Sequence, residues 1–259
     1  MSEYKNYVIF FLDILGFKEI IENDKITVDE MLNKFDKAKY HLDYTKWINT
    51  RKNDEQKWVE NEEKNYLQIS DSMVLSFPLE TPSGLFYAIL DIMRLQANFA
   101  ALHGILLRGA CTYGKLYHNG TNIFGPAMNK VVFMEKVAKY PRVIIPNKVV
   151  DECAKYSSNI RYTLTEEKSD IVDCLKMDND GYYYIDYISY DTFGSETDSN
   201  EEWAEYMGKL KEIIENGLYE QTALDKYIWL KDKYNAALTN TIINNYRKNL
   251  GIDLSRILF

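Results

Sequence analysis

The amino-acid sequence predicts an α/β protein of the α+β kind, in which helices flank a central sheet. An apolar run over residues 8–12 that continues to Asp13 and Gly16 is typical of a strand buried on both faces. Residues 66–77 alternate apolar and polar side chains around Ser70-Asp71-Ser72, which predicts a hairpin with Asp71 at or beside its tip. Apolar side chains at helical spacing then predict helices that cover the sheet, in segments that follow Val28, Pro82 and Pro126.

The end of the first predicted strand is the candidate functional site. Ligands of open α/β sheets bind at the carboxyl edge of the strands, where Asp13 would lie. A structural alternative is that Asp13 only caps the next helix. If the hairpin pairs beside the first strand, however, Asp13 and Asp71 converge, and two carboxylates this close repel unless a cation lies between them. The pattern therefore predicts a hard divalent metal with oxygen ligands, to which a backbone carbonyl near Ile14 could contribute.

The composition is that of an ordinary soluble globular protein, since the 259 residues are 46% hydrophobic and 27% charged. The formal net charge of −8 argues against a nucleic-acid binder, which carries a basic face. An anionic ligand would need metal ions or a local basic patch. The three cysteines and three histidines have no paired spacing, which excludes a recognisable zinc site. We recognise no membrane-spanning stretch and no signal peptide, so we expect a cytoplasmic protein.

The first half of the chain predicts alternating helices and strands. We expect a helix over residues 28–47, a polar loop or exposed helix end over 49–64, and a helix that begins at Pro82 and ends at His103-Gly104. Residues 105–117 predict two strands with a bend at Gly109. Arg108 lies in an otherwise apolar run, so we expect it to have an anionic or carbonyl partner, either within the fold or on a phosphate.

The second half begins with a helix after Pro126 that places Asn129, Phe133 and Lys136 along one stripe and ends before Pro141. We then expect a strand at 142–145, a short helix at 147–156, and strand-like segments near 161–164, 171–175 and 182–188, the last two joined by a turn at 177–181. A polar stretch with a capping box at Ser199 predicts a domain boundary. We therefore expect a catalytic domain over residues 1–195 and a helical extension over 196–259, packed on the core or on a dimer partner.

Three stretches in order resemble the class III nucleotidyl cyclases. Residues 11–17 (FLDILGF) resemble the first metal motif of that family and residues 69–72 (ISDS) the second; residues 107–114 (LRGACTYG) and 125–129 (GPAMN), followed by Glu135, resemble its strand, loop and catalytic helix. The similarity covers roughly residues 7–187. It implies a mostly antiparallel central sheet and two divalent ions, Mg²⁺ or Mn²⁺, held by Asp13 and Asp71. It also implies a homodimer with shared active sites, in which Asn129 orients the ribose from the other protomer.

One departure from the family pattern concerns the positive charge that stabilises the transition state. The family's arginine falls four residues after the asparagine, where this chain has Phe133. The charge must then come from elsewhere, and the candidates are Lys130, Lys136, Arg108 and Lys176. From the resemblance we expect Asn129, Arg108 and Lys130 to be catalytic. We expect the phosphates to contact Lys176, Gly16 and Phe17.

A second departure concerns the base. The lysine and aspartate that read adenine in typical members are replaced by Leu67 and Asn122, and Tyr66 adds bulk near the base pocket if it turns inward. Asn122 offers a donor and an acceptor, which suit uracil or cytosine. With residues 139–142 (KYPR) and 180–186 (DGYYYID), the chain resembles the pyrimidine cyclases of the bacterial Pycsar antiphage systems, whose product activates a separate effector. The resemblance implies conversion of UTP to cyclic UMP or of CTP to cyclic CMP. An adenylate or guanylate cyclase, or an inactive nucleotide-binding module, remains the alternative.

Overall fold

The computed structural model describes residues 3–22, 26–42, 47–52, 55–59, 64–156, 163–248, 251–255 and 257–259. Their strands and helices follow in this order: β1 (Lys5–Ile14), α1 (Phe17–Glu22), α2 (Val28–Leu42), β2 (Trp47–Lys52), β3 (Glu55–Val59), β4 (Asn65–Ile69), β5 (Ser72–Pro78), α3 (Gly84–His103), β6 (Leu107–His118), β7 (Ile123–Phe124), α4 (Pro126–Ala138), β8 (Val143–Ile145), α5 (Asn147–Cys153), α6 (Leu164–Asp173), β9 (Leu175–Met177), β10 (Tyr183–Ile185), α7 (Asn200–Gly217) and α8 (Leu224–Lys248).

A central eight-stranded sheet organises the first of two compact units, which comprises residues 1–92 and 107–185. The strand order is β4-β5-β1-β6-β8-β10-β9, and β7 pairs with the end of β6. The described pairings are antiparallel except for β6 with β8. The expected α+β fold class, with a mostly antiparallel sheet and helices, is thereby confirmed.

The helix α4 covers one face of this sheet. Its buried side chains pack with apolar residues of β1, β5 and β6 in one core cluster, to which α4 contributes Ala127, Val131, Met134 and Ala138. Gly125 precedes the helix with φ 139°, and a Cβ there would lie 2.8 Å from the carbonyl oxygen of Lys115. Pro126 then occupies the first helical turn, where its missing N–H costs no hydrogen bond. The close approach at Gly125 sets where α4 begins above the sheet.

The second compact unit comprises residues 93–106 and 186–259 and contains α7 and α8. The hydroxyl of Tyr234 donates to the carbonyl oxygens of Met207 and Ile257, which ties α8 to α7 and to the chain end. Ser199 accepts from the backbone N–H of Glu202 at the start of α7, as the capping pattern predicts. The division of the chain into a catalytic domain, residues 1–195, and an extension, residues 196–259, stays a prediction.

Two predicted elements in the first half of the chain are wrong. Residues 47–59 were expected to be helix end and loop but form the hairpin of β2 and β3, whose joining residues 53 and 54 lie outside the described part. Trp47, Ile48, Trp58 and Val59 favour strands, and the polar residues between them obscured that preference. Residues 107–118 form one continuous strand and not two. Gly109 supplies a close backbone approach there, since a Cβ would lie 2.4 Å from the carbonyl oxygen of Phe11.

A third correction concerns the strands expected near 161–164 and 171–175. Residues 157–162 lie outside the described part, and residues 164–173 form α6. Thr163 accepts from the N–H of Glu166, whose carboxylate accepts from the N–H of Thr163, so a capping box starts the helix. The predicted turn at 177–181 is present, and Asp178 and Asp180 within it pair with the buried Arg142.

Among the described helices, α3 alone is long and apolar enough to cross a membrane, and 61% of its most apolar window is buried inside the protein. The core helix of a water-soluble protein has the same properties, so this is weak evidence for a membrane span.

Candidate functional site

Asp13 lies near the end of β1, within a row of paired residues that crosses β5, β1 and β6. In this row Asp13 pairs with Ser72 of β5 on one side and with Arg108 of β6 on the other. Arg108 donates to Oδ2 of Asp13 from Nη2 at 3.1 Å and from Nε at 3.3 Å, and the Ser72 hydroxyl lies 3.5 Å from Oδ1. The carboxylate of Asp13 is thus held by neighbouring strands, and no cap contact to α1 is found among the described residues.

Asp71 lies in the two-residue turn between β4 and β5, at the tip of the predicted hairpin. Ser70, the other turn residue, adopts φ 54°, a left-handed conformation that short hairpin turns require. The carbonyl oxygen of Asp71 accepts from the N–H of Ile14 at 3.3 Å. This bond fixes the turn against the end of β1, so Asp13 and Asp71 lie at the same edge of the sheet.

The charges around Asp13 raise its affinity for protons. Burial and the negative charges of Asp71 and Glu135 raise the pKa of Asp13 from 3.8 to about 6, although Arg108 acts in the opposite direction. Burial also raises the pKa of Glu135, against the influence of Arg108. Asp13 and Glu135 therefore share the guanidinium of Arg108, Asp71 adds a third negative charge nearby, and the site attracts positive charge.

The two aspartates fit a divalent cation by the chemistry of their donors. Carboxylate oxygens are the ligands that Mg²⁺ and Mn²⁺ prefer, and the excess negative charge at Asp13 is what a bound cation would compensate. In the described part of the chain no three Asp, Glu, His or Cys side chains are grouped to hold a metal ion. A cation here would use Asp13 and Asp71 and complete its shell with backbone, water or phosphate oxygens.

The helix α4 presents its other predicted site residues to the outside. Asn129, Lys130 and Lys136 are exposed, and Phe133 is 69% exposed. Lys130 lies over the ring of Tyr113, with Nζ 5.9 Å from the ring centroid. Asn129, Phe133 and Lys136 thus face solvent in the protomer, whereas Lys130 lies against Tyr113 of β6.

Asn122 lies at the opposite end of β6 from Arg108. It lies just beyond His118, the last residue of β6. Arg108 and His118 are ten residues apart, a separation of about 34 Å at the usual strand rise. Its N–H donates to Oδ1 of Asn119 at 2.8 Å within an exposed turn. Asn122 also lines a shallow pocket of about 330 Å³, together with Glu3, Tyr4, Tyr117 and Phe124. An amide beside aromatic rings offers hydrogen bonds and stacking surface to a planar base.

Leu67 and Tyr66 lie on opposite faces of the sheet, since successive strand residues alternate. Leu67 pairs with Val74 and packs on the same core cluster as α4, so it shares the face of Asp13. Tyr66 is buried on the other face, and its hydroxyl donates to Oε1 of Gln68 at 2.7 Å. Leu67 alone of this pair therefore lies on the side of the aspartates, and base contacts by Tyr66 and Leu67 stay a prediction.

The residues predicted to contact phosphates are dispersed. Lys176 is exposed on β9, four strands from β1 and thus about 19 Å away across the sheet. Gly16, with φ 76°, and Phe17 form the turn into α1, which starts three residues after Ile14. Because α1 has six residues, its dipole offers an anion little stabilisation. Phosphate contacts by these three residues stay a prediction.

Glu135 is a residue to which the sequence assigned a place on the helix but no role in the site. It is 5% exposed and lies on the sheet side of α4, where its Oε1 is 2.6 Å from Nε of Arg108. The sequence could have indicated that Glu135 is buried, because it follows the buried Val131 by four residues and so falls on the apolar stripe of the helix. A glutamate in that stripe and an arginine in an apolar strand are natural partners.

No protein-family model and no curated protein matches the chain. Among solved structures, it is similar to the adenylyl cyclase CyaB from P. aeruginosa (TM-score 0.44, 14% identity, 71% of this chain and 94% of that one). It is also similar to a dimeric guanylyl cyclase domain of the RhoGC fusion protein from the aquatic fungus Blastocladiella emersonii (0.45, 12%, 71% and 98%) and to a bacterial light-regulated adenylyl cyclase (0.41, 16%, 72% and 92%). All three are nucleotidyl cyclases. Scores and identities this low do not by themselves assign an activity to this chain.

Proposed function

We propose that this chain is a metal-dependent nucleotide cyclase that converts UTP to 3′,5′-cyclic UMP and pyrophosphate. The observation that carries the proposal is the placement of Asp13 and Asp71 at one sheet edge, in a site with more negative than positive charge. The resemblance of the surrounding stretches to the class III cyclase motifs supplies the reaction class.

In this reaction the ribose 3′-oxygen attacks the α-phosphorus, the bond from that phosphorus to the pyrophosphate oxygen breaks, and the 3′-hydroxyl loses its proton to solvent. When bound, divalent ions acidify the 3′-hydroxyl and stabilise the charge on the phosphates, which is worth several kcal/mol. Asp13 and Asp71 would hold these ions. Arg108 fixes one oxygen of Asp13 and leaves the other on the side of Ser72.

A complete site requires two protomers. Asn122 lies beyond His118, the end of β6 that is about 34 Å from Arg108, and Asn129 is exposed on α4. In a twofold dimer, each protomer can give its aspartates to one site and its Asn122 and Asn129 to the other. Lys130 and Lys136 would enter with Asn129 and supply the positive charge that Phe133 does not.

The choice of base rests on Leu67 and Asn122. Leu67 offers no hydrogen bond to a base, and Asn122 offers a donor and an acceptor beside the rings of Tyr117 and Phe124. This arrangement suits a pyrimidine, and we propose UTP ahead of CTP. From the Pycsar resemblance we further propose that cyclic UMP activates a separate effector in antiphage defence, in the cytoplasm.

The test is incubation of the purified chain with ATP, GTP, CTP or UTP in Mg²⁺ or Mn²⁺, with products identified by mass spectrometry. We expect cyclic UMP, and Asp71→Asn should reduce its formation at least a hundredfold because the variant loses a charged metal ligand. The matched control is Asp36→Asn, which changes an exposed aspartate of α2 and should leave turnover unchanged.

Each other outcome has a definite meaning. Cyclic CMP would reassign the base and keep the site, whereas cyclic AMP or GMP would refute the interpretation of Leu67 and Asn122. Full activity of Asp71→Asn would remove the metal assignment. No product from any of the four nucleotides would contradict the proposed activity.

A further inference from the structure

A partly buried ion-pair network contacts Asp13. Arg108 lies directly opposite Asp13 on β6, and its Nη2 and Nε are 3.1 and 3.3 Å from Oδ2 of the aspartate. The same Nε is 2.6 Å from Oε1 of Glu135, which α4 brings down onto this face of the sheet. Arg108 therefore bridges a carboxylate of the strand and a carboxylate of the helix.

The bridge determines how much negative charge Asp13 can offer to a cation. An arginine bound to Asp13 alone would form a neutral pair and compete with any divalent ion for that carboxylate. With Glu135 on the same guanidinium, one positive charge is divided between two carboxylates, and the pair of Asp13 and Asp71 keeps its net negative charge. Glu135 can do this because its side chain is 7% exposed, where solvent screens the interaction weakly.

We propose that Glu135 is a positioning residue that holds Arg108 and so sets the affinity of Asp13 and Asp71 for divalent cations. This inference rests on the proposed metal site. It assigns a task to Glu135 and also to Arg108, which orients Asp13 through Oδ2 in place of contacting a phosphate. Arg108 bonds directly to a proposed metal ligand, and removal of such a partner commonly changes metal affinity 10- to 100-fold; Glu135 acts on the site through Arg108.

If the pair of Glu135 and Arg108 only stabilised the packing of α4 on β6, a different result would be expected. In Glu135→Gln, Arg108 keeps its charge and has Asp13 as its remaining carboxylate, so the cation should bind more weakly. In the double variant Glu135→Gln with Arg108→Gln, both charges are gone and Asp13 is released, so the affinity should recover. Loss of a simple fastening would not be repaired by the second substitution.

The experiment is a Mn²⁺ titration of the full chain without nucleotide, in which electron paramagnetic resonance reports free Mn²⁺ and thermal unfolding verifies that each variant is folded. We expect Glu135→Gln to raise the Kd for Mn²⁺ at least about tenfold, and the double variant to return to within about threefold of the wild type. Glu152→Gln is the control, since Glu152 of α5 pairs with Lys155 just after the helix and should not alter Kd.

An unchanged Kd in Glu135→Gln would overturn the inference, as would a double variant as weak as the single one. Asp71→Asn separates this failure from a failure of the proposed function. If Asp71→Asn abolishes Mn²⁺ binding and Glu135→Gln does not change it, the metal site stands and Glu135 has no part in it. If Asp71→Asn binds Mn²⁺ like the wild type, or the wild type does not bind it, the metal site and the inference fall together.

Discussion

His118 shows at the scale of one residue how burial makes stability depend on pH. The imidazole is 7% exposed, with Nδ1 2.8 Å from the hydroxyl of Ser76, and burial lowers the pKa of His118 from 6.5 to about 4. Between these values the unfolded chain binds the proton and the folded chain does not. The contribution of His118 to the free energy of unfolding is therefore complete above pH 6.5 and is lost as the pH falls to about 4.

We predict that this loss amounts to about 3 kcal/mol, because each unit of pKa difference corresponds to about 1.4 kcal/mol. The measurement is urea unfolding of the wild type and of His118→Gln at several values between pH 4 and pH 7. Subtracting the two curves removes the contributions of the carboxylates. A difference between wild type and variant that stays constant with pH would contradict the assignment.

Arg108 and Glu135 also belong to the residue scale. The sequence predicts an anionic partner for Arg108 because an arginine in an apolar strand is costly when unpaired. It does not say which carboxylate, because Asp13 is 95 residues away and Glu135 lies on a helix whose packing is a tertiary matter.

At the scale of elements, the close contact of β1 with β6 places Asp13 beside Arg108. Gly109 permits this contact, since a Cβ at that position would lie 2.4 Å from the carbonyl oxygen of Phe11. We predict that Gly109→Ala lowers the free energy of unfolding by about 1–3 kcal/mol, as overpacking of a core does. It should also reduce the proposed cyclase activity, because it displaces the end of β1 that carries Asp13.

Gly208→Ala is the matched control for this prediction. Gly208 lies within α7, and a Cβ there would meet no atom within 4 Å. Because alanine favours helices over glycine, this substitution should stabilise the chain by about 0.5–1 kcal/mol. Thermal and urea unfolding measure both changes. Equal effects of the two substitutions would show that the strand contact does not limit the size of residue 109.

The helix α6 also belongs to the scale of elements, since residues 171–175 were predicted to be strand-like whereas residues 164–173 form this helix. Ile171, Val172 and Leu175 form a short apolar group that fits either a strand or one face of a helix. The capping box between Thr163 and Glu166 decides in favour of the helix. Short apolar segments are ambiguous by periodicity, and the capping residues carry the information.

At the scale of the whole molecule, the proposed shared sites predict complementation between two inactive variants. Asp13→Ala lacks a proposed metal ligand, and Asn129→Ala lacks the group proposed to orient the ribose. When both proteins are mixed and allowed to exchange subunits, half of the dimers are mixed, and each mixed dimer has one intact site of two. We therefore expect about a quarter of wild-type activity in the mixture.

Cyclic nucleotide formation in the mixture and in each variant alone is the measurement. The control is the double variant Asp13→Ala with Asn129→Ala, mixed with the wild type. If each site were built within one protomer, a mixed dimer would contain one intact site and one doubly defective site. With shared sites, each mixed dimer has two singly defective sites, so activity should fall. Absence of rescue in the first mixture, with dimers present by sedimentation, would contradict shared sites.

The sequence by itself determined the local features of this protein. It located the strand that carries Asp13, the turn that carries Asp71, the start of α4 at Pro126 and the two C-terminal helices, because alternation, turn residues and caps act over a few neighbouring residues. It also contains, in order, the two stretches with Asp13 and Asp71 that resemble cyclase metal motifs, and the proposed activity rests on them.

Only the tertiary structure decided which groups meet. Strand order placed Arg108 rather than another cation beside Asp13, and the packing of α4 buried Glu135 against that arginine. The same packing exposed Asn129 and left Asn122 at the far end of β6. These outcomes depend on contacts between residues distant in sequence, whose free energy comes from burying a shared core; a local pattern can show that Glu135 is buried but not which cation it meets.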